Sequence, residues 1–343
     1  MPDMTSHSAT TLPVSLLDRA NTVEGVSEAE VLQGVIARAQ RAEELGYSRF
    51  WVAEHHGVPG IAGSAPTLLM SAIAAATDRL RVGSGGVMLP NHQPLVVAEQ
   101  TATLQALFPG RIDLGLGRSV GFTPAVRTAL RRDTDAVQQF PQDLAELLGF
   151  LRGTGRFTAR PQDHAATPVF VLATGQGLRW AAEAGLAVVV GGPSLYQRHG
   201  RTEHESLALY RRDFRPSPWF AEPYVIVSAN LAVADTREAA RDLVLPEAWA
   251  LAQTRVKGEF RALEPARAVR TKLSGDAGSV TDRDRRRVQE NLASGIYGTP
   301  GEVRAAVTSL VDFTGADELL VTGGMSDPAG QRRSDELVAG LFA

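Results

Sequence analysis

Short apolar runs alternate with longer amphipathic segments along almost the whole chain. Runs such as Val169–Leu172 have the length and the β-branched content of a buried strand. Segments such as Glu28–Gly46 repeat apolar residues at helical spacing, which is typical of a helix with one face on a core. Ser27 and Glu30 form a capping-box pattern at the start of this helix, and the glycine at its end is a typical C-terminal cap.

The same two patterns locate the remaining elements. The predicted strands are Val14–Asp18, Phe50–Ala53, Leu80–Leu89, Arg111–Gly117, Val169–Leu172, Ala187–Val190, Tyr224–Ala234 and Glu318–Thr322. The predicted helices are Glu28–Gly46, Ala65–Thr77, Pro94–Leu107, Phe140–Leu151, Leu178–Ala184, Ser194–Arg212, Arg237–Ala252, Pro300–Thr314 and Ser334–Phe342. Eight strands, each followed by a helix, predict an α/β protein with a (β/α)8 TIM barrel, although an open doubly wound sheet has the same alternation.

Three stretches rich in proline, glycine and charge interrupt this alternation: Gly153–Pro168, Arg215–Pro223 and Thr254–Arg287. They predict loops, and we expect the longest, 254–287, to be a mobile insertion. The polar residues 1–11 predict a flexible tail. Since a barrel of this type forms one domain even with insertions, we expect residues 1–343 to be a single domain.

The composition excludes several classes of protein. Lys and Arg total 35 against 38 Asp and Glu, a net charge of −3, which argues against a nucleic-acid-binding surface. The chain has no cysteine, so disulfides and zinc–thiolate sites are excluded. No apolar run approaches the ~18 residues of a membrane span, and residues 1–11 lack the apolar core of a signal peptide. We therefore expect a cytoplasmic protein that does not bind membranes.

In a (β/α)8 barrel the reacting groups lie at the carboxyl ends of the strands. Four polar or glycine-rich segments have that position: Ala53–Gly57, Gly83–His92, Gly115–Arg118 and Ala173–Gly177. The last of them opens a predicted helix, and its backbone N–H groups suit a phosphate because the helix dipole favours an anion there.

Two of these segments also suggest other chemistry. Adjacent His55 and His56 suggest a metal, but neighbouring residues of a strand point to opposite faces, so no metal site is predicted. Gly115 and Gly117 begin a pattern like the dinucleotide fingerprint, yet the third glycine, Gly121, comes one residue late. A tight turn after the strand is the better interpretation.

Several longer blocks follow one another in a specific order. They are Phe50–His56 (FWVAEHH), Val82–Pro94 (VGSGGVMLPNHQP), Phe108–Arg118 (FPGRIDLGLGR), Gly298–Pro300 (GTP) and Thr314–Leu319 (TGADEL). In this order they resemble the bacterial luciferase-like flavin-dependent monooxygenases, and the resemblance extends from about Leu12 to Phe342.

The resemblance implies a two-component enzyme. Reduced FMN, supplied by a separate flavin reductase, and dioxygen would form a peroxyflavin that oxygenates a small organic substrate. The blocks are most similar to a branch with antibiotic-biosynthesis enzymes, so an aromatic natural-product intermediate is the implied substrate. Relatives are commonly homodimers through helices near the second and third strands, and the small residues of Ser71–Thr77 suit such packing.

The resemblance also implies roles for individual residues. His55 corresponds to the catalytic histidine, with His56 as the alternative, and an imidazole of pKa ~6.5 can exchange a proton at neutral pH. A non-proline cis peptide of the family falls at Gly85–Gly86. The implied cofactor-binding residues are Gly85, Gly86, Met88, Asn91, His92, Arg118, Thr174, Gly175, Gln176 and Gly177.

The chain departs from the family pattern in the phosphate segment. Thr174 replaces a family serine, while Ala173 and Gly177 stand where polar or hydroxyl side chains are expected. A lost hydrogen bond to a charged group is worth ~1.5–3 kcal/mol, which predicts weaker retention of FMN. Two alternatives therefore stay open: a deazaflavin-dependent oxidoreductase on the same fold, and a non-catalytic relative that binds a flavin or another ligand.

Overall fold

Eight parallel strands close into one barrel in the computed structural model, which describes residues 12–121, 123–162, 167–196, 198, 200–275 and 280–342. The barrel strands are β1 (Val14–Asp18), β2 (Arg49–Val52), β3 (Arg81–Ser84), β4 (Ile112–Gly117), β5 (Val169–Leu172), β6 (Ala187–Gly191), β7 (Val225–Val233) and β8 (Glu318–Thr322). Each strand pairs with its sequence neighbour, and β8 pairs with both β7 and β1. The closure confirms the predicted (β/α)8 barrel and excludes the open sheet.

Helices surround this barrel. Their bounds are α1 (Glu28–Glu44), α2 (Pro66–Ala75), α3 (Pro94–Leu107), α4 (Pro124–Leu130), α5 (Ala136–Arg152), α6 (Gln176–Ala184), α7 (Glu205–Asp213), α8 (Arg237–Lys257), α9 (Ala266–Ser274), α10 (Asp282–Ala293), α11 (Pro300–Thr314) and α12 (Pro328–Phe342). At the start of α1, Ser27 and Glu30 form the predicted capping box. None of the helices in the described ranges has both the length and the apolarity required to cross a lipid bilayer.

The predicted third strand, 80–89, is divided into shorter pieces. After β3 the Gly85–Gly86 peptide is cis, as the family resemblance predicts. A short strand, Val87–Met88, then pairs with β4, and Leu89–Asn91 forms one turn of 3₁₀ helix. These pieces connect β3 to the start of α3.

Two predictions about long segments are wrong. The helix predicted over 194–212 consists of a 3₁₀ turn (Pro193–Tyr196) and α7, with Gly200 at a φ of +76° between them. The loop predicted over 254–287 contains the end of α8, all of α9 and the start of α10; residues 276–279 lie outside the described part.

Specific contacts hold this helical segment on the barrel. Asn291 of α10 donates to the carbonyl of Ala248 on α8 at 2.9 Å, and Trp249 donates to Glu264 before α9 at 2.8 Å. An additional short strand, Ile296–Gly298, follows and pairs with the end of β7. The mobility of 254–287 stays a prediction, and the predicted tail, 1–11, lies outside the described residues.

Charged and aromatic side chains fill the lower half of the barrel. At its amino-terminal end Arg49 pairs with Asp113 at 2.8 Å and with Glu318 at 2.9 Å. Above this layer Trp51 packs edge-on against Phe170, with 5.0 Å between the ring centroids, and both rings are fully buried. A ligand can therefore enter the barrel only from the carboxyl ends of the strands.

Candidate active site

The four segments predicted from sequence meet at this open end. Glu54–His56 follow β2, and Val87–His92 follow β3. Arg118 follows β4, and Thr174–Gly177 follow β5. Because β2, β3, β4 and β5 are consecutive neighbours in the barrel, these segments line one continuous half of its rim.

A buried carboxylate, Glu54, organises the β2–β3 part of the rim. Its side chain is 0% exposed. One oxygen, Oε1, lies 2.8 Å from His56 Nε2 and accepts from Asn91 Nδ2 at 3.1 Å. The other, Oε2, lies 2.9 Å from His92 Nε2 and accepts from the backbone N–H of Met88 at 3.0 Å. We call Glu54 with His56, Asn91 and His92 the histidine clamp.

The charge of Glu54 fixes the orientation of its partners. Burial alone raises the pKa of this carboxyl group, but the hydrogen bonds from His56, His92 and Asn91 outweigh burial and lower the pKa to about 2. Glu54 is therefore an acceptor only, so each imidazole must present an N–H at Nε2.

The same cluster is a group of potential metal ligands. The ligand atoms of Glu54, His56 and His92 all lie within 4.8 Å of one another. Sequence analysis considered only His55 with His56 and missed this set. The carboxylate already accepts four hydrogen bonds, which is its full acceptor capacity, so we interpret the cluster as a clamp for the two imidazoles.

His55 is not a member of the clamp and has different surroundings. Its backbone N–H donates to the carbonyl of Gly63 at 2.9 Å. Burial, followed by the positive charge of Arg19, lowers the pKa of His55 to about 4. The expectation of a value near 6.5 is thus wrong for this imidazole. At neutral pH His55 is uncharged and can accept a proton.

The lowered pKa of His55 predicts the pH dependence of turnover. If neutral His55 is the base, we expect kcat/KM to stay level from about pH 8 to about pH 5 and to fall as the pH drops through about 4. The unfolded chain binds this proton at a higher pH than the folded protein, so stability also declines from about pH 6.5 towards about pH 4. Circular dichroism at each pH separates the two effects, and a half-maximal rate near pH 6.5 contradicts the prediction.

The β4–β5 part of the rim is suited to an anion. Helix α6 begins at Gln176 without a hydrogen bond from a capping side chain, while the N–H groups of Gly177 and Leu178 donate to backbone carbonyls of the preceding turn at 3.2 Å. Gly175 precedes it at φ +55° and ψ −121°, and a Cβ at this position meets no atom within 4 Å. The guanidinium carbon of Arg118 lies 5.9 Å from the ring centroid of Trp180 on the same helix. Arg118 thereby adds its charge to that of the helix dipole.

The departures at 173 and 177 are explained by local packing. A Cβ on Gly177 is only 3.0 Å from the Cβ of Ala173, so a larger residue at either position crowds the other. Thr174 and Gln176 remain exposed beside this pair, while Gly177 is buried. Gly177 thus offers no hydroxyl group, and weaker retention of FMN stays a prediction.

The glycines after β3 are explained by the barrel itself. A Cβ on Gly85 is 2.7 Å from Leu17 Cδ1, and one on Gly86 is 2.7 Å from the carbonyl oxygen of Gly115. The backbone of β4 therefore requires glycine at 86, whereas a side chain at 85 would displace the end of Leu17. Contact of the two glycines with a flavin stays a prediction. The backbone N–H of Met88 donates to Glu54. A Cβ on Gly117 would lie only 2.5 Å from the sulfur of Met88.

Comparison with known proteins identifies the family. The sequence profile for luciferase-like monooxygenases matches residues 14–318. The chain belongs to this family. It is 37% identical to the luciferase-like monooxygenase of Escherichia coli K12 over 339 residues, which covers 95% of this chain and 96% of that protein. It is 44% identical over 167 residues to N-acetyl-S-alkylcysteine monooxygenase of Bacillus subtilis, covering 46% of this chain and 50% of that protein.

Solved structures agree with the family assignment. Apo-MsnO8 is 32% identical with a TM-score of 0.83, covering 96% of this chain and 98% of that chain. More distant members of the fold differ in cofactor. A diketocamphane monooxygenase from Pseudomonas putida, solved with FMN, has a TM-score of 0.71 at 19% identity and covers 97% of this chain and 98% of that chain. An F420-dependent alcohol dehydrogenase has a TM-score of 0.65 at 14% identity, covering the same two shares, 97% and 98%.

Proposed function

We propose that this member of the luciferase-like family is a monooxygenase that uses reduced FMN. The observation that carries the proposal is the pairing of two different sites on one rim. An anion cradle at Arg118 and α6 lies beside a histidine clamp and an uncharged His55. A phosphate-bearing cofactor that works with a proton acceptor suits this combination.

The residues of the cradle fit the phosphate of FMN. Arg118 would bind it through charge-assisted hydrogen bonds, and the N–H groups of Gly175 and Gln176 would donate at the positive end of α6. The N–H of Gly177 already donates to the carbonyl of Thr174 at 3.2 Å. The exposed hydroxyl of Thr174 would add one more donor. When bound, reduced FMN would supply two electrons to dioxygen, of which one oxygen atom passes to the substrate and the other leaves as water.

The histidines supply a proton acceptor and fixed hydrogen-bonding atoms. Neutral His55 would accept a proton from the substrate or the cofactor. His56, His92 and Asn91 would present fixed donor and acceptor atoms at the flavin edge, because Glu54 holds all three. The closed floor of the barrel would keep bulk water from reaching them from below.

We propose a small organic substrate, a transient flavin reductase and a second copy of the chain as partners. The Bacillus subtilis relative is named for a thioether that carries a carboxylate, and an analogous organic acid is our first choice of substrate over an aromatic natural product. Leu68 of α2 and Leu107 of α3 are 73% and 61% exposed, and burial of these side chains would favour a homodimer through that face.

Anaerobic titration followed by admission of oxygen tests the proposal. We expect the protein to bind reduced FMN and, with ¹⁸O₂ and a thioether acid, to place labelled oxygen in the product. Reduced deazaflavin serves as the matched cofactor. Hydride transfer from it without oxygen incorporation would replace the proposal with the deazaflavin alternative, and binding of neither cofactor would favour a non-catalytic relative.

Replacing Arg118 tests the anion cradle. We expect Arg118→Ala to raise the dissociation constant of FMN about 10- to 100-fold, because a hydrogen bond to a charged group is worth about 1.5–3 kcal/mol. Quenching of flavin fluorescence measures the constant. Arg179→Ala is the matched control, because Arg179 lies on α6, the helix of the cradle, but is 64% exposed and pairs with Glu183. A fall in turnover with unchanged affinity for FMN contradicts the assigned role of Arg118.

A further inference from the structure

A second arginine, Arg19, lies on the rim outside the segments described above. Ser15 and Leu17 of β1 point into the barrel, and the alternation of the strand gives Arg19 the same side. The guanidinium group of Arg19 forms an ion pair with Glu247 of α8. The carboxylate of Glu247 is 5% exposed and also accepts from the N–H of Gly324, after β8, at 2.7 Å.

The backbone around Arg19 is fixed on both sides. Ala20 has a φ of +54°, which alanine rarely adopts, and its N–H donates to Asp18 at 2.7 Å. The other oxygen of Asp18 binds Arg38 at 2.9 Å, and Arg38 forms a two-pronged pair with Asp335 of α12. Such a conformation persists only where its surroundings enforce it, and it holds the side chain of Arg19 at the mouth of the barrel.

Several donors in this corner lack an acceptor. Within the described residues, Arg19 Nε, Asn21 Nδ2 and Thr322 Oγ1 are buried without a hydrogen-bond partner. Asn21 and Thr322 belong to the same corner, because Asn21 lies against Gly324 and Thr322 ends β8. Each oxygen of Glu247 accepts one hydrogen bond, from Arg19 and from Gly324, and the guanidinium group keeps donors for a further anion.

The position of Arg19 in the barrel separates it from the cofactor cradle. In the closed order of eight strands, β1 and β8 lie opposite β5 and β4. Arg19 thus faces the mouth from the side opposite Arg118 and the start of α6. It is close enough to His55 for its charge to lower the pKa of that imidazole. Arg19 and Arg118 thus place a positive charge on each of two opposite sides of the mouth, and the phosphate of FMN can occupy only one of these sides.

We propose that Arg19, held in place by Glu247, binds a carboxylate group of the organic substrate and thereby places the rest of the substrate beside His55. The inference rests on the proposed monooxygenase function and specifies its substrates as organic acids. Asn21 and Thr322 would complete the site with uncharged donors. Arg19 was not among the residues predicted from sequence.

Binding measurements test this subsite independently of turnover. The probes are N-acetyl-S-benzylcysteine and its methyl ester, together with other acid and ester pairs, titrated calorimetrically into the full chain saturated with FMN. FMN fills the cradle at Arg118, so a preference for the acid reports on Arg19. We expect the acid to bind at least 10-fold more tightly than the ester, as a charge-assisted pair allows.

The decisive variant removes both charges. Arg19→Gln alone leaves the Glu247 carboxylate buried without a cation, so we pair it with Glu247→Gln, in which the amide oxygen can still accept from Gly324. The double variant should lose the preference for acids and keep its affinity for FMN. Arg333→Gln, on the outer face of α12, is the control and should retain the preference.

The outcomes separate this inference from the proposed function. Equal binding of acid and ester across all pairs, or a preference that survives in the double variant, overturns the subsite. A preference that depends on Arg19 in a chain that fails to oxygenate supports the subsite and rejects the monooxygenase. Oxygenation of esters and acids at equal kcat/KM supports the monooxygenase and rejects the subsite.

Discussion

Replacing His55 with alanine should lower turnover by roughly 10²- to 10⁴-fold, the range for loss of a general acid or base. The side chain is held uncharged by burial and by Arg19, and it follows β2, two strands away from β4, where the anion cradle begins. Affinity for FMN should change little, because the cradle at Arg118 and α6 is intact in the variant. Single-turnover product formation under saturating reduced FMN measures the effect.

Two further histidine variants make this result specific. His204→Ala removes a histidine that packs edge-on against Phe313, with 5.7 Å between the ring centroids, away from the rim, and it should leave turnover unchanged. His56→Ala removes one arm of the clamp and should have a smaller effect than His55→Ala. If His56→Ala is the more damaging change, the roles of the two adjacent residues are reversed; if neither slows turnover, the histidines are not part of the mechanism.

Replacing Glu54 with glutamine should impair both stability and turnover. One amide oxygen cannot accept all four hydrogen bonds that the carboxylate receives, and its NH₂ group faces donors instead. Each buried donor left without an acceptor costs about 1–3 kcal/mol, so the free energy of unfolding should fall by about 2–5 kcal/mol. Turnover should fall about 10²-fold, since a reacting group displaced by about 1 Å loses that much.

The opposite end of the barrel supplies a matched control for Glu54. Glu318 is also a buried carboxylate, and it binds Arg49 and the hydroxyl of Tyr224, but it lies in the floor. Glu318→Gln should lower the free energy of unfolding by a similar amount and leave turnover per folded molecule unchanged. Urea unfolding and active-site titration measure the two quantities. An equal loss of turnover in both variants would mean that Glu54 acts through stability alone.

Much of the fold follows from local patterns. The bounds of α3, α11, β5 and β8 match the prediction because a proline opens each of these helices and apolar runs of strand length form the strands. Helices α9 and α10 were not predicted, because few of their residues are apolar and buried. In α10 these are only Val288 and Leu292. Such helices gain stability from packing on α8, which sequence periodicity does not reveal.

The positions of the site segments were predictable, because family motifs mark them and because they follow barrel strands. His55 and His56 both follow β2, and the structure gives the two imidazoles different surroundings. Glu54 stands in the same motif, but its role depends on His92. His92 lies later in the chain and reaches Glu54 only in the folded barrel. Arg19 was missed for the same reason, because its partner Glu247 lies more than two hundred residues away in sequence.

The filled lower half of the barrel has a kinetic consequence. Trp51 and Phe170 block the channel above the Arg49 ion pairs. Cofactor, substrate and product therefore have to enter and leave through the mouth of the barrel. Whichever molecule sits deeper must arrive first and depart last. Steady-state kinetics should therefore show compulsory order, and an excess of the later ligand should trap the earlier one inside.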